Sequence, residues 1–211
     1  MKPFRVWFKT LDVMLDEFVT LRGFFWQRRH TPYQRLRYEY ISVIDEETNR
    51  FIQQHHQHDL MRKEKSDLSW IMNNPWILAA PFKDSPSKRY YFSSRAGRFS
   101  YLGVKVFEHS AEMIGFFLLK VRDDRMSVIY SFFESRHAAS ITAAAFYHAL
   151  AMDVSILSLY DEQLVASFSK LGCPCWSAQK KSRGFSLSKV FADIPLSNCR
   201  LQGGDGDLAF Y

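Results

Sequence analysis

The bulk properties of the chain fit one globular domain, with or without an appendage. It has 211 residues, of which 47% are hydrophobic, 16% aromatic and 24% charged, with a formal net charge of +6. These values exclude an intrinsically disordered chain, and three cysteines are too few for a disulfide framework. The modest positive charge permits a nucleic acid, an anionic lipid or a phosphorylated ligand without selecting among them.

Two further patterns bear on location. The sequence does not open with a basic segment followed by an apolar one, as secretory leaders do. Its longest apolar runs fall well short of the roughly 20 residues that a membrane-spanning helix needs. We therefore expect a cytoplasmic protein without a membrane span, and we interpret Cys173 and Cys175 as ordinary buried cysteines.

The first 34 residues form a segment with helical periodicity. Apolar residues recur at intervals of three and four, namely Phe4, Trp7, Phe8, Leu11, Met14, Leu15, Phe18, Leu21, Phe24 and Phe25. Basic residues between the aromatics also suit an RNA or a membrane surface, but packing on the main domain or on a partner chain is the favoured interpretation. We divide the chain into this segment, residues 1–34, and a domain of residues 35–211. The apolar face of the segment allows a homodimer.

The next part of the chain mixes strand and helix signals. Strand patterns cover residues 36–44, 89–94 and 99–107. A helix start follows the first strand at residues 45–48, where acidic residues are followed by the apolar anchors Phe51 and Ile52. His55, His58 and Asp59 could share one side of that helix and bind a metal. A run of Gln and His on an exposed helix face explains the pattern as well, so no metal site is predicted.

The stretch from residue 112 to residue 172 carries the strongest signals. Two apolar strands, residues 113–121 and 126–133, flank a polar turn and predict a hairpin. An Ala-rich helix, a short β-branched strand at residues 154–159 and a helix that ends at Gly172 follow. A closing hairpin is expected from residues 175–179 and 184–191. The predicted fold class is therefore α+β, a mixed and mainly antiparallel sheet flanked by helices, with an N-terminal amphipathic helical segment.

This order of elements resembles the second half of the GNAT-type acyl-CoA N-acyltransferase fold. The stretch Ala166-Ser167-Phe168-Ser169-Lys170-Leu171-Gly172-Cys173 is similar to the family's Ala-x-x-Tyr-x-Lys-Leu-Gly-Phe near the end of its last helix. Gly115 matches the usual start of the hairpin. The Trp-rich middle and the Gly-rich tail, residues 201–210, resemble bacterial GNAT-like proteins of the doubled Fem and CelD types. At 211 residues the chain fits one such unit.

The resemblance implies a binding site for acetyl-CoA or another acyl-CoA. In the family, the second hairpin strand separates from the next parallel strand, and its free backbone groups bond the pantetheine arm. The turn into the following helix directs backbone N–H groups at the pyrophosphate. The matching positions here are Phe132, Phe133, Arg136, His137, Ala138, Ala139 and Ser140. Ala139 and Ile141 stand at the family's two glycine positions.

The resemblance also implies proton chemistry, since the amine acceptor loses a proton and the CoA thiolate gains one. Glu134, at the end of the second hairpin strand, is the candidate general base, with Glu108, Glu112 and Tyr130 as substitutes. Phe168 occupies the position of the family's tyrosine acid. Two functions follow: an N-acyltransferase acting on a small-molecule amine acceptor, or a non-catalytic GNAT-like module that binds a protein or, less favoured, a nucleic acid.

Overall fold

The computed structural model describes residues 14, 17–18, 20–26, 28, 36–75, 77–79, 94–108, 112–173, 175–181 and 199–206. The strands are β1 (Arg37–Ile41), β2 (Ile77–Ala79), β3 (Ser94–Ala96), β4 (Phe99–Phe107), β5 (Met113–Arg122), β6 (Arg125–Phe133) and β7 (Ile156–Leu159). The helices are α1 (Glu46–His55), α2 (Lys65–Asn73), α3 (Ala138–Ala151) and α4 (Glu162–Leu171). A search of these described residues finds no helix with the length and apolar character to cross a membrane.

Five strands form one open sheet in the order β1-β4-β5-β6-β7. The first three pairings are antiparallel and the last, between β6 and β7, is parallel. β2 and β3 form a separate parallel pair. The predicted α+β class, with a mainly antiparallel sheet flanked by helices, is confirmed.

The hairpin of β5 and β6 lies inside the sheet, with a strand on either side, and both of its faces are covered. Every residue of β5 from Ile114 to Val121 is buried, which explains why residues 114–119 are a continuous run of apolar residues and glycine instead of an alternating pattern. A tight turn joins the strands, and Asp123 adopts the left-handed conformation there with φ of 52°. Its carboxylate accepts hydrogen bonds from the backbone N–H groups of Gly97 at 2.7 Å and Arg98 at 3.2 Å.

Helices cover the two faces of the sheet. On one face α3 packs through Ile141, Ala144, Ala145 and Ala149, whose small side chains allow a close approach. On the other face Ile52 of α1 and Leu68 of α2 pack against β5 and β6. A third apolar cluster attaches the N-terminal helical residues to α3 and α4, and is described below.

Two expectations differ from the structure, and a third lies almost wholly outside the described residues. The described residues 175–181 form no strand, so the first half of the predicted closing hairpin is wrong, and its second half, residues 184–191, lies outside the described part of the chain. Cys175 N–H instead bonds Cys173 C=O at 2.8 Å in a tight local turn, and Trp176 is 69% exposed. Cys175, expected to be buried, is half-buried. Of the predicted strand 89–94, only Ser94 is described, as the start of β3.

Candidate functional site at the end of strand β6

Strand β6 continues past the end of its parallel neighbour. The pairing of β6 with β7 runs from Arg125 opposite Ile156 to Val128 opposite Leu159, where β7 ends. Residues 129–133 extend beyond it with no described strand on that side. On the other side, the register with β5 shifts at Leu118/Leu119, so that Ile129 is an extra residue in β6. Such a bulge bends a strand and increases its twist, which helps to separate β6 from β7.

The C-terminal segment, residues 199–206, fills the gap beside β6. Gly204 N–H donates to Ile129 C=O at 2.7 Å, as a neighbouring strand would. The Gln202 carboxamide completes the pairing, because its Oε1 accepts from Ser131 N–H at 3.2 Å and its Nε2 donates to Ser131 C=O at 2.9 Å. A side chain thus satisfies a buried strand edge that no described strand covers.

Two glycines let this segment approach closely. A Cβ atom at Gly204 would lie 2.4 Å from the buried ring of Tyr130, and one at Gly203 would lie 2.2 Å from the ring of Tyr160. The hydroxyl of Tyr130 donates to Gly204 C=O at 2.8 Å. Any other residue type at these two positions would push the segment away from the sheet.

A buried ion-pair network holds the start of the segment. Arg200 Nε lies 2.6 Å from Asp59 Oδ1, and Arg200 Nη1 lies 3.4 Å from Asp161 Oδ2. The Asp59 side chain is only 1% exposed, and its second oxygen accepts from Gln202 Nε2 at 3.1 Å. Asp161 also caps α4, accepting from the N–H groups of Gln163 and Leu164.

Asp205 is the unusual carboxyl group of the segment. Its Oδ2 accepts from Gln202 N–H at 2.9 Å, whereas its Oδ1 is buried and has no hydrogen-bond partner among the described residues. Burial raises the pKa of this carboxyl to about 6, against the opposing hydrogen bond from Gln202. In the sequence Asp205 belongs to a Gly-rich turn, and its burial could not be predicted because it depends on residues far along the chain.

The residues that the resemblance selected lie at the far end of β6. Phe132 and Phe133 have buried side chains. Backbone groups alternate along a strand, and those of Ser131 face away from β5, so those of Phe133 face the same open side while those of Phe132 point to β5. A single 3-10 turn, Ser135–His137, then leads directly into α3. Glu134 and Arg136 are exposed and form an ion pair of 2.8 Å between Oε2 and Nε. No side-chain hydrogen bond from the described residues caps this turn or the start of α3.

The remaining turn residues divide between surface and core. His137, Ala139 and Ser140 are half-buried, while Ala138 is buried. Ile141, at the family's second glycine position, is fully buried and points into the core. Its Cδ1 atom would lie 2.2 Å from a Cβ at Gly115, so the glycine of β5 makes room for the isoleucine of α3. The side chain at this position therefore packs on the sheet and does not crowd the helix N-terminus.

The other acid–base candidates differ in their exposure to solvent. Tyr130 is buried, and burial is the largest cause of its raised pKa. Its hydroxyl therefore keeps its proton and donates a hydrogen bond to the C-terminal segment. Glu108 and Glu112 are exposed at the same end of the sheet as Glu134, because Gly115 pairs with Phe133. Phe168 packs edge-on against Phe146 with ring centroids 6.0 Å apart.

The alternative metal and thiol sites do not assemble. Asp59 is committed to Arg200 and Gln202, and His55 lies stacked on Phe51, 4.1 Å between ring centroids. Within the described part of the chain, no group of three or more His, Cys, Asp and Glu side chains could hold a metal ion. Burial raises the pKa of the Cys173 thiol to about 12, which makes it unreactive near neutral pH.

No protein-family model, no curated protein and no solved structure matches this chain.

Proposed function

We propose that the chain is a GNAT-like protein that binds acetyl-CoA or another acyl-CoA and acts as an N-acyltransferase on an amine acceptor. The observation that carries this proposal is the continuation of β6 past β7 into the N-terminus of α3. In the acyltransferases that the chain resembles, a strand separated from its parallel neighbour binds pantetheine, and the turn that follows binds the pyrophosphate. A strand edge and a helix N-terminus adjoin here in the same order.

The charged turn supports binding of a phosphorylated ligand. Backbone N–H groups at a helix N-terminus attract anions, and the Arg136 guanidinium stands within the same turn. The ion pair of Arg136 with Glu134 lies in solvent, where such pairs contribute at most about 1 kcal/mol. A phosphate can therefore take Arg136 from Glu134 at little cost.

Release of Glu134 would also prepare the acid–base chemistry. Acyl-CoA supplies a thioester whose carbonyl carbon is open to attack by an amine. As the amide bond forms and the C–S bond breaks, the Glu134 carboxylate would take the proton that the amine loses. With Phe168 packed in an apolar cluster, the leaving thiolate would take its proton from water.

A second candidate function is the non-catalytic GNAT-like binding module. The observation that favours it is the Gln202 carboxamide, which bonds both backbone groups of Ser131 as a pantetheine amide would. With this part of the strand edge occupied, an acyl-CoA has the backbone of Phe133 and the turn beyond it. In a module that has lost its cofactor, the Gln202 side chain would stay bonded to Ser131 permanently.

Calorimetric titration with acetyl-CoA, and with CoA as comparison, tests the proposal. We expect a micromolar Kd that weakens on the order of tenfold in Arg136→Ala, where a charge-assisted contact is lost. Arg125→Ala is the matched control, because Arg125 is equally exposed but lies at the opposite end of β6. No heat and no thermal shift at millimolar CoA would exclude the acyl-CoA proposal.

Two further variants separate the candidate functions. Glu134→Gln should abolish acyl transfer to any amine that the wild-type protein acylates, while leaving the Kd for CoA unchanged. Gln202→Ala opens the edge at Ser131. If CoA binds the Gln202→Ala variant but not the wild-type protein, the C-terminal segment blocks the groove and the non-catalytic module is the better description.

A further inference from the structure

The N-terminal helical residues expose an apolar stripe. Backbone at residues 14, 17, 18, 20–26 and 28 is helical. Met14, Phe18, Leu21 and Phe25 are spaced by four, three and four residues, which places them on one side of a helix. All four are exposed, by 51% to 66%. A contiguous row of large apolar side chains in water is the usual mark of an interaction surface.

The opposite side of this helix is already bound to its own domain. Gly23 faces Leu150 of α3, where an added Cβ would lie 3.4 Å from the nearest leucine methyl. The Trp26 ring packs edge-on against Phe146 at 4.7 Å between centroids, and its indole N–H donates to Leu171 C=O at 3.3 Å. The helix is therefore fixed in orientation, and the stripe of Met14, Phe18, Leu21 and Phe25 faces away from the domain.

We propose that this stripe pairs with the same stripe of a second copy of the chain, with the two helices parallel. Alternating steps of three and four residues are the a and d positions of a coiled-coil heptad, whose complement is another helix with the same repeat. The repeat extends in the sequence to Phe4, Trp7 and Leu11, which lie outside the described residues. Gly23 and Trp26 occupy the outer positions of the heptad, as their attachment to the domain requires.

Charge complementarity selects the second copy and its direction. With Phe18 and Phe25 at a and Met14 and Leu21 at d, Glu17 takes position g and Arg22 takes position e. In a parallel pair, the g residue of one helix faces the e residue five positions further along the other. Glu17 of each copy thus faces Arg22 of the other, which gives two equivalent ion pairs related by the two-fold axis. In an antiparallel pair g faces g and e faces e, so this attraction is lost.

Sedimentation of the full chain over a range of concentrations tests the pairing. The wild-type protein is expected at about twice the chain mass of 24.8 kDa. Leu21→Glu places two facing carboxylates in the seam and should weaken dimerisation on the order of a hundredfold or more. Val43→Glu is the matched control, since Val43 is 62% exposed outside the stripe, and this variant should remain dimeric.

Charge reversal tests the direction of the helices. Glu17→Arg should raise the dimer dissociation constant about tenfold, because two attractions become repulsions, and Arg22→Glu should act alike. The double variant, Glu17→Arg with Arg22→Glu, should restore the wild-type value. If the double variant does not restore the wild-type dissociation constant, the parallel arrangement is wrong. If the wild-type protein stays monomeric over a 100-fold range of concentration, the stripe does not bind a second copy of the chain. Binding of anionic vesicles through the stripe, in place of dimerisation, would overturn the proposal in the same way.

Discussion

The two halves of strand β6 have different neighbours on the side away from β5. The first half, up to Val128, pairs with strand β7 through regular backbone hydrogen bonds. The second half, residues 129–133, is covered at Ile129 and Ser131 by Gly204 and by the carboxamide of Gln202. The same strand is thus completed once by a strand and once by a segment anchored through side chains.

The difference shows how the two halves depend on distant parts of the chain. The first half is completed by the next strand along the sequence. The second half depends on Gln202, 71 residues after Ser131, and on Arg200, which pairs with Asp59 across 141 residues. The C-terminal segment should therefore be the weaker of the two neighbours, and several changes should detach it while leaving β7 in place.

The largest effect is expected from Asp59→Ala. This change leaves Arg200 without its 2.6 Å partner and Gln202 Nε2 without one acceptor. Breaking a buried ion pair from one side costs on the order of 4 kcal/mol of unfolding free energy, measurable by urea denaturation. Hydrogen exchange should also speed up at the Ser131 amide and not at the Val128 amide. Asp124→Ala, at an exposed pair of 3.9 Å, should change stability by less than about 0.5 kcal/mol.

The second effect is a pH dependence that comes from Asp205. Its pKa is raised in the folded chain from 3.8 to about 6, so the protonated form is the one that suits the fold. The stability from this group is fully present below about pH 4 and is lost as pH rises through about 6. In Asp205→Asn this loss disappears, and the variant should gain about 2 kcal/mol on the wild-type protein between pH 4 and pH 8.

The measurement for Asp205 is the difference between variant and wild-type unfolding free energies at each pH, because other carboxyl groups cancel in it. A difference that stays constant across this pH range would show that the carboxyl does not titrate in the folded segment.

The third effect comes from Gly204→Ala. The new methyl group would lie 2.4 Å from the ring of Tyr130, which is 1% exposed and cannot move aside. We expect a loss of about 2 kcal/mol in unfolding free energy. Gly206→Ala serves as control, since no atom of the described residues lies within 4 Å of its added Cβ and the positive φ of 71° is what opposes it there. Equal losses for both variants would argue against tight packing of Gly204 on Tyr130.

The smallest effect on stability is expected from Arg136→Ala. The pair with Glu134 is exposed on both sides, so its loss should change the unfolding free energy by less than about 0.5 kcal/mol. This variant separates ligand binding from stability, because it leaves β6 and its neighbours intact while removing the proposed phosphate contact. A stability loss as large as that of Asp59→Ala would mean that the turn is structural and not a binding surface.

Local patterns predicted most of the elements of the fold correctly. The hairpin, the Ala-rich helix, the short parallel strand and the helix that ends at Gly172 each depend on residues close together in sequence. Gly172 does adopt the left-handed conformation, with φ of 58°. The predicted strand at residues 175–179 is wrong, since these residues form no strand, and strand propensity depends on tertiary context more than helix propensity does.

The candidate site could be predicted only in part. Glu134 and Arg136 lie at the end of β6 as the turn pattern indicates, because both follow directly from the hairpin and the helix start. The GNAT-like function and the division into residues 1–34 and 35–211 stay predictions. Gln202, Asp205 and the partner of Asp59 were beyond sequence reasoning, since nothing local distinguishes a Gln that completes a strand from one in water.

The sequence by itself therefore determined the α+β class, the central hairpin and the apolar repeat of the N-terminal helix, because periodicity and turn residues act over a few positions. Long-range packing places Ile141 against Gly115, Gly203 and Gly204 against tyrosine rings, and a side chain over the end of β6. These features arise from contacts between residues 26 to 74 positions apart, and burial at such contacts depends on the whole fold.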